Sequence, residues 1–407
     1  MSTPAYPSDS DTRSAASLAW PAALALAAAM GIGRFAFTPV WPLMADEGGL
    51  SLAQGSWIAS ANYAGYLLGA LAAVAWPVRH ARVQLALSLL AVALLTLAMP
   101  LTHHVAVWCV LRLAAGYASA SAFICVAAAR PVPPGDAREP AASALTYAGV
   151  GAGIALTGLA CLALMDWGVR ADGTWLALGA LTLALSVIAW PGLKRPSPTP
   201  MATPSAGRPA RVPRVTGRLA LHYGVFGIGY IIPATFLPAM AKQVIANPAV
   251  FGWAWPVFGL AAAVSCLLVP RLARASDEKR VWQAAQALMA VGMMTAALWH
   301  HIAAVIVAAL LVGGTFMVIT QAGMLTARRM AGAAAPRAAA IMTAAFAAGQ
   351  ILGPLLASWA SHWGAGLPQV LGGGAALLAV SAWRLGKITT EDKGAGHNAI
   401  GPQGCTH

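Results

Sequence analysis

The sequence predicts an all-α membrane protein of twelve transmembrane helices in two six-helix halves. Three observations lead there. Of 407 residues, 59% are hydrophobic and 9% charged, whereas soluble domains carry about 25% charged residues, so too little polar surface exists to cover a water-soluble body. Apolar runs of roughly 20 residues, the length that crosses a bilayer, recur along the whole chain. The opening motif also returns: Gly31-Ile32-Gly33 with Pro42, Met44 and Trp57 is matched, at one constant offset and without a gap, by Gly227-Ile228-Gly229 with Pro238, Met240 and Trp253.

In order, the N-terminal tail 1–19 is polar and carries Arg13 as its one base. The apolar stretch after it is too long for a signal-peptide core and reads as a retained first span. Charges and Pro/Gly breaks then divide the first half, 20–191, into spans at 20–45, 54–77, 83–101, 105–129, 141–165 and 173–191. A linker follows at 192–217, rich in Pro and Ser and holding Lys194, Arg195, Arg208, Arg211 and Arg214. It has nothing with which to build a core. The second half, 218–386, gives spans at 218–241, 247–269, 281–299, 302–326, 338–360 and 367–385, before a polar tail at 387–407. His103-His104 and His300-His301 mark the same cut in each half.

Charge placement tests that division. With the N-terminus cytoplasmic, only Arg170 and Lys242 fall on the far side, only Arg34 and Arg112 fall within spans, and every other Lys and Arg falls inside. This bias predicts both termini in the cytoplasm. The net charge of +13 therefore reports topology rather than nucleic-acid binding. Long continuous runs exclude a barrel of short alternating strands. Gly65 with Gly69, Gly149 with Gly153, and Gly349 with Gly353 are spaced for close helix packing.

Arg34 and Arg112 are the sharpest functional signals. They lie roughly 16 Å and 12 Å from the same outer face at 1.5 Å per residue, too deep to face lipid cheaply. None of the twelve Asp and Glu residues falls inside a span, so an anionic substrate is one way to neutralise the arginines. Helix carbonyls or water are the structural alternative. The other cavity candidates are Thr38, Asn62, Tyr63, Tyr66, Tyr117, Tyr147, Tyr230, Gln321 and Gln350. Tyr230 holds the position that Arg34 holds in the first half. Asp46, Glu47 and His222 are the candidates for proton coupling. Pro39, Pro42, Pro233 and Pro238 are expected to kink the lead helices of the two halves, as in carriers whose site lies between two repeats. No phosphate-binding loop, nucleophile elbow or zinc-peptidase motif occurs, so no enzyme, cofactor or metal is expected. The five cysteines show no paired spacing.

Over Gly31-Ile32-Gly33-Arg34-Phe35-Ala36-Phe37-Thr38-Pro39, Pro42-Leu43-Met44 and Trp57-Ile58-Ala59-Ser60-Ala61-Asn62-Tyr63-Ala64-Gly65-Tyr66-Leu67-Leu68-Gly69, the chain resembles the YbfB/YjiJ-type transporters of the major facilitator superfamily. The layout agrees over about 18–386 and the detail over 31–69. The resemblance implies a six-plus-six major facilitator fold, alternating access, a bacterial inner-membrane location and a monomer, with Arg34, Asn62 and Tyr63 as signature positions. The loop Trp76-Pro77-Val78-Arg79-His80-Ala81-Arg82 lacks the Asp of the superfamily signature, so the charge pair usually built there has no acidic member. The expected activity is secondary active transport of a small organic solute, with a carboxylate or other anion as candidate and a proton as candidate coupling ion. Efflux of apolar or cationic compounds, with structural arginines, is the alternative within transport. A non-transporting receptor or scaffold is the alternative outside it.

Overall fold

Lipid offers backbone groups no partner, so each spanning segment must satisfy its own hydrogen bonds. In the computed structural model the described residues do so as helices, with no strand among them. They comprise 9–388 apart from 77, 79, 129–131, 133–135, 195–211, 245–251, 273–276 and 300.

The helices are α1 Asp9–Leu26, α2 Phe37–Gly48, α3 Leu52–Ala75, α4 Ala81–Leu97, α5 Val105–Ala128, α6 Glu139–Asp166, α7 Ala171–Leu193, α8 Arg214–Val244, α9 Ala254–Leu272, α10 Glu278–Leu298, α11 Ile302–Ala331, α12 Ala335–His362 and α13 Leu367–Gly386. Each predicted span holds a helix, and α1 and α2 together occupy the first. Eight helical segments among the described residues are long and apolar enough to cross a membrane, one of them, Ile302–Ala360, being α11 and α12 with only a short 3-10 turn between. Most of the linker and nearly all of the C-terminal tail lie outside the described residues, as do Arg79, Arg130 and Cys405 and the side chains of Lys242 and Pro238. Cys109, Cys125, Cys161 and Cys266 are free thiols.

In the first half the lead helix is broken, and its break lies before the prolines. Pro39 falls in the first turn of α2, where its missing N–H would have no partner in any case. Pro233 and Pro238 lie within α8, which runs unbroken. At the histidine cut in the second half, His301 caps α11, its ring nitrogen accepting from the Ala303 N–H at 3.1 Å.

Small residues set the packing. On the α3–α5 seam, a Cβ on Gly65 would run into the Leu113 carbonyl, and one on Gly116 into the Asn62 carbonyl. The Gly149 and Gly153 pair sits on the backbone of the first span at Ala23 and Ala27, and Gly349 sits on Gly224 of α8. The halves meet along α6–α9 and α3–α12. Gly151 and Gly259 close the first of these seams almost backbone to backbone. Gly65→Leu is expected to cost about 1–3 kcal/mol through overpacking. The unfolding temperature in detergent reads this, and an unchanged value would mean that the α3–α5 seam can spread.

The outward faces carry Leu and Val, including Leu68, Leu71, Leu87, Leu94, Leu260 and Leu355. Exposed Trp57, Trp167, Trp253, Trp299 and Trp363 gather where α3, α6, α9, α10 and α12 begin or end away from the termini. That placement matches an aromatic belt at a membrane interface.

Candidate functional site

The first span breaks where its glycines let it. After α1 the chain takes a π-helical turn, Ala27–Ile32, and then turns through 33–36 before α2 begins. Gly31 lies so close to Gly153 of α6 that a Cβ would overlap that backbone, and Gly33 is closed in by Val92 and the Ser119 hydroxyl. A π turn leaves carbonyls without their usual donors. Other helices supply them. Arg112 of α5 donates from Nη1 to Gly33 O and from Nη2 to Arg34 O, both at 2.9 Å. The Thr157 hydroxyl lies 3.2 Å from Gly31 O. Asn62 Nδ2 in turn donates to Arg112 O at 2.9 Å. Asn62, Arg112 and the break thus form one network.

That network turns Arg34 towards the second half. Its Nη2 donates to Gln350 Oε1 of α12. Its guanidinium carbon lies 3.6 Å from the Tyr66 ring centroid, with Tyr63 and Phe35 at 5.6 Å and Phe346 at 6.0 Å. Such ring contacts are worth up to about 2 kcal/mol for a desolvated cation, well short of a counter-ion. Arg34 is 3% exposed, and its Nε and Nη1 have no hydrogen-bond partner among the described residues. The same is true of Gln350 Nε2 and the Tyr147 hydroxyl. Arg34 is therefore a buried cation with unused donors and no carboxylate against it.

Tyr66 separates Arg34 from a small cavity between the halves. Met30, Tyr66 and Phe123 line it from the first half, and Tyr223, Phe316, Met317, Met324 and Phe346, with Thr320 and Thr343, from the second. It leaves about 10 Å³ for the centre of a water molecule, room for roughly one water. A ring stack backs the second half: Tyr230 lies on Phe316 at 4.2 Å and 14°, with Phe226, Phe258 and Phe346 beside it. Phe35 meets Trp255 and Phe316 edge-on across the halves at 6.3 and 6.1 Å.

The structure thus brings together Arg34, Tyr63, Tyr66, Gln350 and, through the ring stack, Tyr230. Tyr147 is buried against Phe123. Gln321 is buried in α11, its Oε1 without a partner among the described residues. Thr38 and Tyr117 are exposed and stand outside the cluster. Arg112 and Asn62 bond backbone carbonyls through their terminal nitrogens, leaving Arg112 Nε and Asn62 Oδ1 without a partner among the described residues. Of the coupling candidates, Asp46 is exposed, and Glu47 accepts from the Ala171 N–H at 3.1 Å while pairing with Arg170 at 3.3 Å. Glu47 therefore caps α7, and Glu47→Ala is expected to cost about 1 kcal/mol of stability with transport unchanged. Detergent unfolding and uptake read the two halves of that expectation. His222 is buried, its Nδ1 2.8 Å from Ser381 Oγ on α13, away from Arg34.

Sequence reasoning missed the Phe and Met wall, because a ring that lines a cavity and a ring that fills a core share one apolar pattern. It also missed a charge cluster at the end that carries the termini. There Arg329 of α11 pairs with Glu278 of α10 and, at 3.8 Å, with Glu139 of α6 in the other half. Nearby, the Arg138 guanidinium and N–H hold the Asp136 carboxyl down at about 2, so this acid stays charged through the physiological range.

Comparison with known proteins adds three findings. The family model described as "Uncharacterised MFS-type transporter YbfB" matches residues 26–384. No curated protein sequence matches the chain. The crystal structure of the human organic anion transporter MFSD10 (TETRAN) superposes with a TM-score of 0.67 at 13% identity, covering 93% of this chain and 100% of that one.

Proposed function

Because the chain belongs to the MFS-type transporter family described for YbfB, and so is a multi-pass membrane protein with the major facilitator fold, we propose that it carries a small organic anion by alternating access. One observation carries this reading. A desolvated guanidinium between the two halves keeps two unused donors and faces no acid among the described residues. An uncompensated charge in a low-dielectric interior costs several kcal/mol, and an arriving carboxylate removes that cost while taking charge-assisted hydrogen bonds.

In this reading the basic end faces the cytoplasm of a bacterial cell. The halves touch on both sides of the cavity, at Gly158–Pro256 towards one end and Glu139–Arg329 towards the other. That is the form of an occluded carrier. Opening towards the cytoplasm separates Arg329 from Glu139. It leaves Arg329 on Glu278, which belongs to the same half. Removing the crossing pair should therefore favour the cytoplasm-open form. In a cysteine-free background, a cavity reporter made by Thr343→Cys is expected to react faster with a polar maleimide applied from the cytoplasmic side once Arg329→Gln is added. An equal rate would show that the pair does not hold the gate.

Proteoliposome uptake tests the function itself. Radiolabelled carboxylates should enter against an exchangeable internal pool, and Arg34→Gln should abolish entry while the protein still elutes as the parent does. Uptake of organic cations that survives Arg34→Gln would overturn the reading in favour of efflux of cationic compounds, with the arginine structural.

A further inference from the structure

We propose that the cargo is a monocarboxylate whose remainder is apolar, an aryl or alkyl acid, with its carboxylate on Arg34 and Gln350 and its body against the Phe and Met wall of the second half. This rests on the anion-carrier reading above and narrows it.

The charge of the cargo follows from counting cations at the site. Arg34 has two buried nitrogens, Nε and Nη1, without a partner among the described residues, and Arg112 has one, its Nε. Arg112 is buried too, but both of its terminal nitrogens already serve the carbonyls of Gly33 and Arg34. Arg328, a turn beyond Met324 on α11, has interactions of its own. The Arg34 guanidinium takes one carboxylate. A dicarboxylate would bring a second charge into the same low-dielectric space, where the terminal nitrogens of Arg112 are already held by the Gly33 and Arg34 carbonyls. A zwitterion fares no better. Its ammonium would need an acid, none touches Arg34, and the nearest ring face, Tyr66, is covered by the guanidinium itself.

The body of the cargo follows from the walls. Sugars and polyols need many convergent donors and acceptors. The cavity offers the hydroxyls of Thr320, Thr343 and Tyr223 among rings and thioethers, and Thr320 already donates to Phe316 O at 3.0 Å and Thr343 to Ala339 O at 2.8 Å. Phe123, Phe316, Phe346, Met317 and Met324 suit an apolar body, and the unbranched Met side chains adapt to its outline. The cavity now admits about one water, so the cargo enters by displacing flexible groups. Tyr66, standing between Arg34 and the cavity, must turn aside to let the carboxylate reach the guanidinium. Binding then exchanges a ring contact for a charge-assisted pair.

Binding of six probes to the purified full-length protein in detergent tests this by titration calorimetry: phenylacetate, its neutral isostere phenylacetamide, acetate, succinate, alanine and tetraphenylphosphonium. Phenylacetate is expected to bind at least about tenfold more tightly than phenylacetamide, succinate or alanine, since a charged hydrogen bond is worth about that factor or more. Arg34→Gln should erase that preference over phenylacetamide. Phe316→Ala should weaken phenylacetate several-fold more than acetate, because only the former places a ring on the wall. Succinate or alanine binding better than phenylacetate, and losing affinity in Arg34→Gln, would overturn the apolar class and leave the anion carrier standing. Phenylacetate binding that ignores Arg34→Gln, or no binding of any probe to well-folded protein, would overturn the carboxylate assignment. Tight binding of tetraphenylphosphonium, unchanged by Arg34→Gln, would remove the anion-carrier reading with it.

Discussion

Arg112→Met is expected to be the most destabilising single change in the membrane region, by about 3 kcal/mol or more. The variant orphans two carbonyls, Gly33 O and Arg34 O, and a buried group left without its partner costs about 1–3 kcal/mol. Both carbonyls belong to buried residues, so bulk water does not stand in for the guanidinium cheaply. Methionine fills the volume, so packing loss adds little. Lysine should rescue only in part, since a point ammonium cannot span two acceptors as a planar fork does. Thermal or dodecyl-sulfate unfolding in mixed micelles measures the loss. If Arg112→Met instead unfolds as the parent does and fails only to bind ligand, Arg112 touches the cargo and its carbonyl contacts are incidental.

Arg34→Met should do less to stability and more to function. The parent buries a cation with no counter-ion among the described residues, at several kcal/mol. Methionine removes that cost and forfeits one charged hydrogen bond to Gln350, about 1.5–3 kcal/mol, and ring contacts of about 2 kcal/mol. These amounts offset one another, so stability should stay within about 1 kcal/mol of the parent, while carboxylate transport falls by about a hundredfold or more, as charge-assisted contacts made together vanish. The same unfolding assay with a transport assay beside it reads both. A destabilised Arg34→Met would place this residue with Arg112 as a structural prop. The contrast between the two variants matters more than either size, because two arginines at similar depth are distinguished by what their nitrogens already hold.

The layout of helices was legible because the medium enforces it. Apolar length, basic loops and the repeated Gly-Ile-Gly motif each report the same spans, and helices occupy them all. Arg34 was legible as well, since a cation inside an apolar run stands out against its neighbours. The division of roles between Arg34 and Arg112 was not. It depends on a π turn made by Gly31 meeting Gly153 across two helices, a contact between residues far apart in the chain. The place where the lead helix breaks was hidden for a related reason. A proline in a first turn begins a helix as readily as one in the middle bends it, and sequence does not say where the turn starts. Tyr117 is a polar aromatic in an apolar run, yet it lies on the outer face. Nothing in its local pattern distinguishes it from Tyr66.

The matched positions Arg34 and Tyr230 face one interface from two related halves. Had those halves been identical subunits of a symmetric dimer, the interface would hold either two arginines or two tyrosines. The first would set like charges against each other with one small anion to share, and the second would attract no anion at all. Joining both copies in one chain lets each drift alone, so that one keeps the charge and the other, with Tyr230 stacked on Phe316, becomes a wall. Asymmetry of this kind is closed to a homodimer, and it separates two evolutionary dials. If the proposed anion carrier holds, substitutions in the second half reshape which body is accepted, while the first half goes on requiring a negative charge.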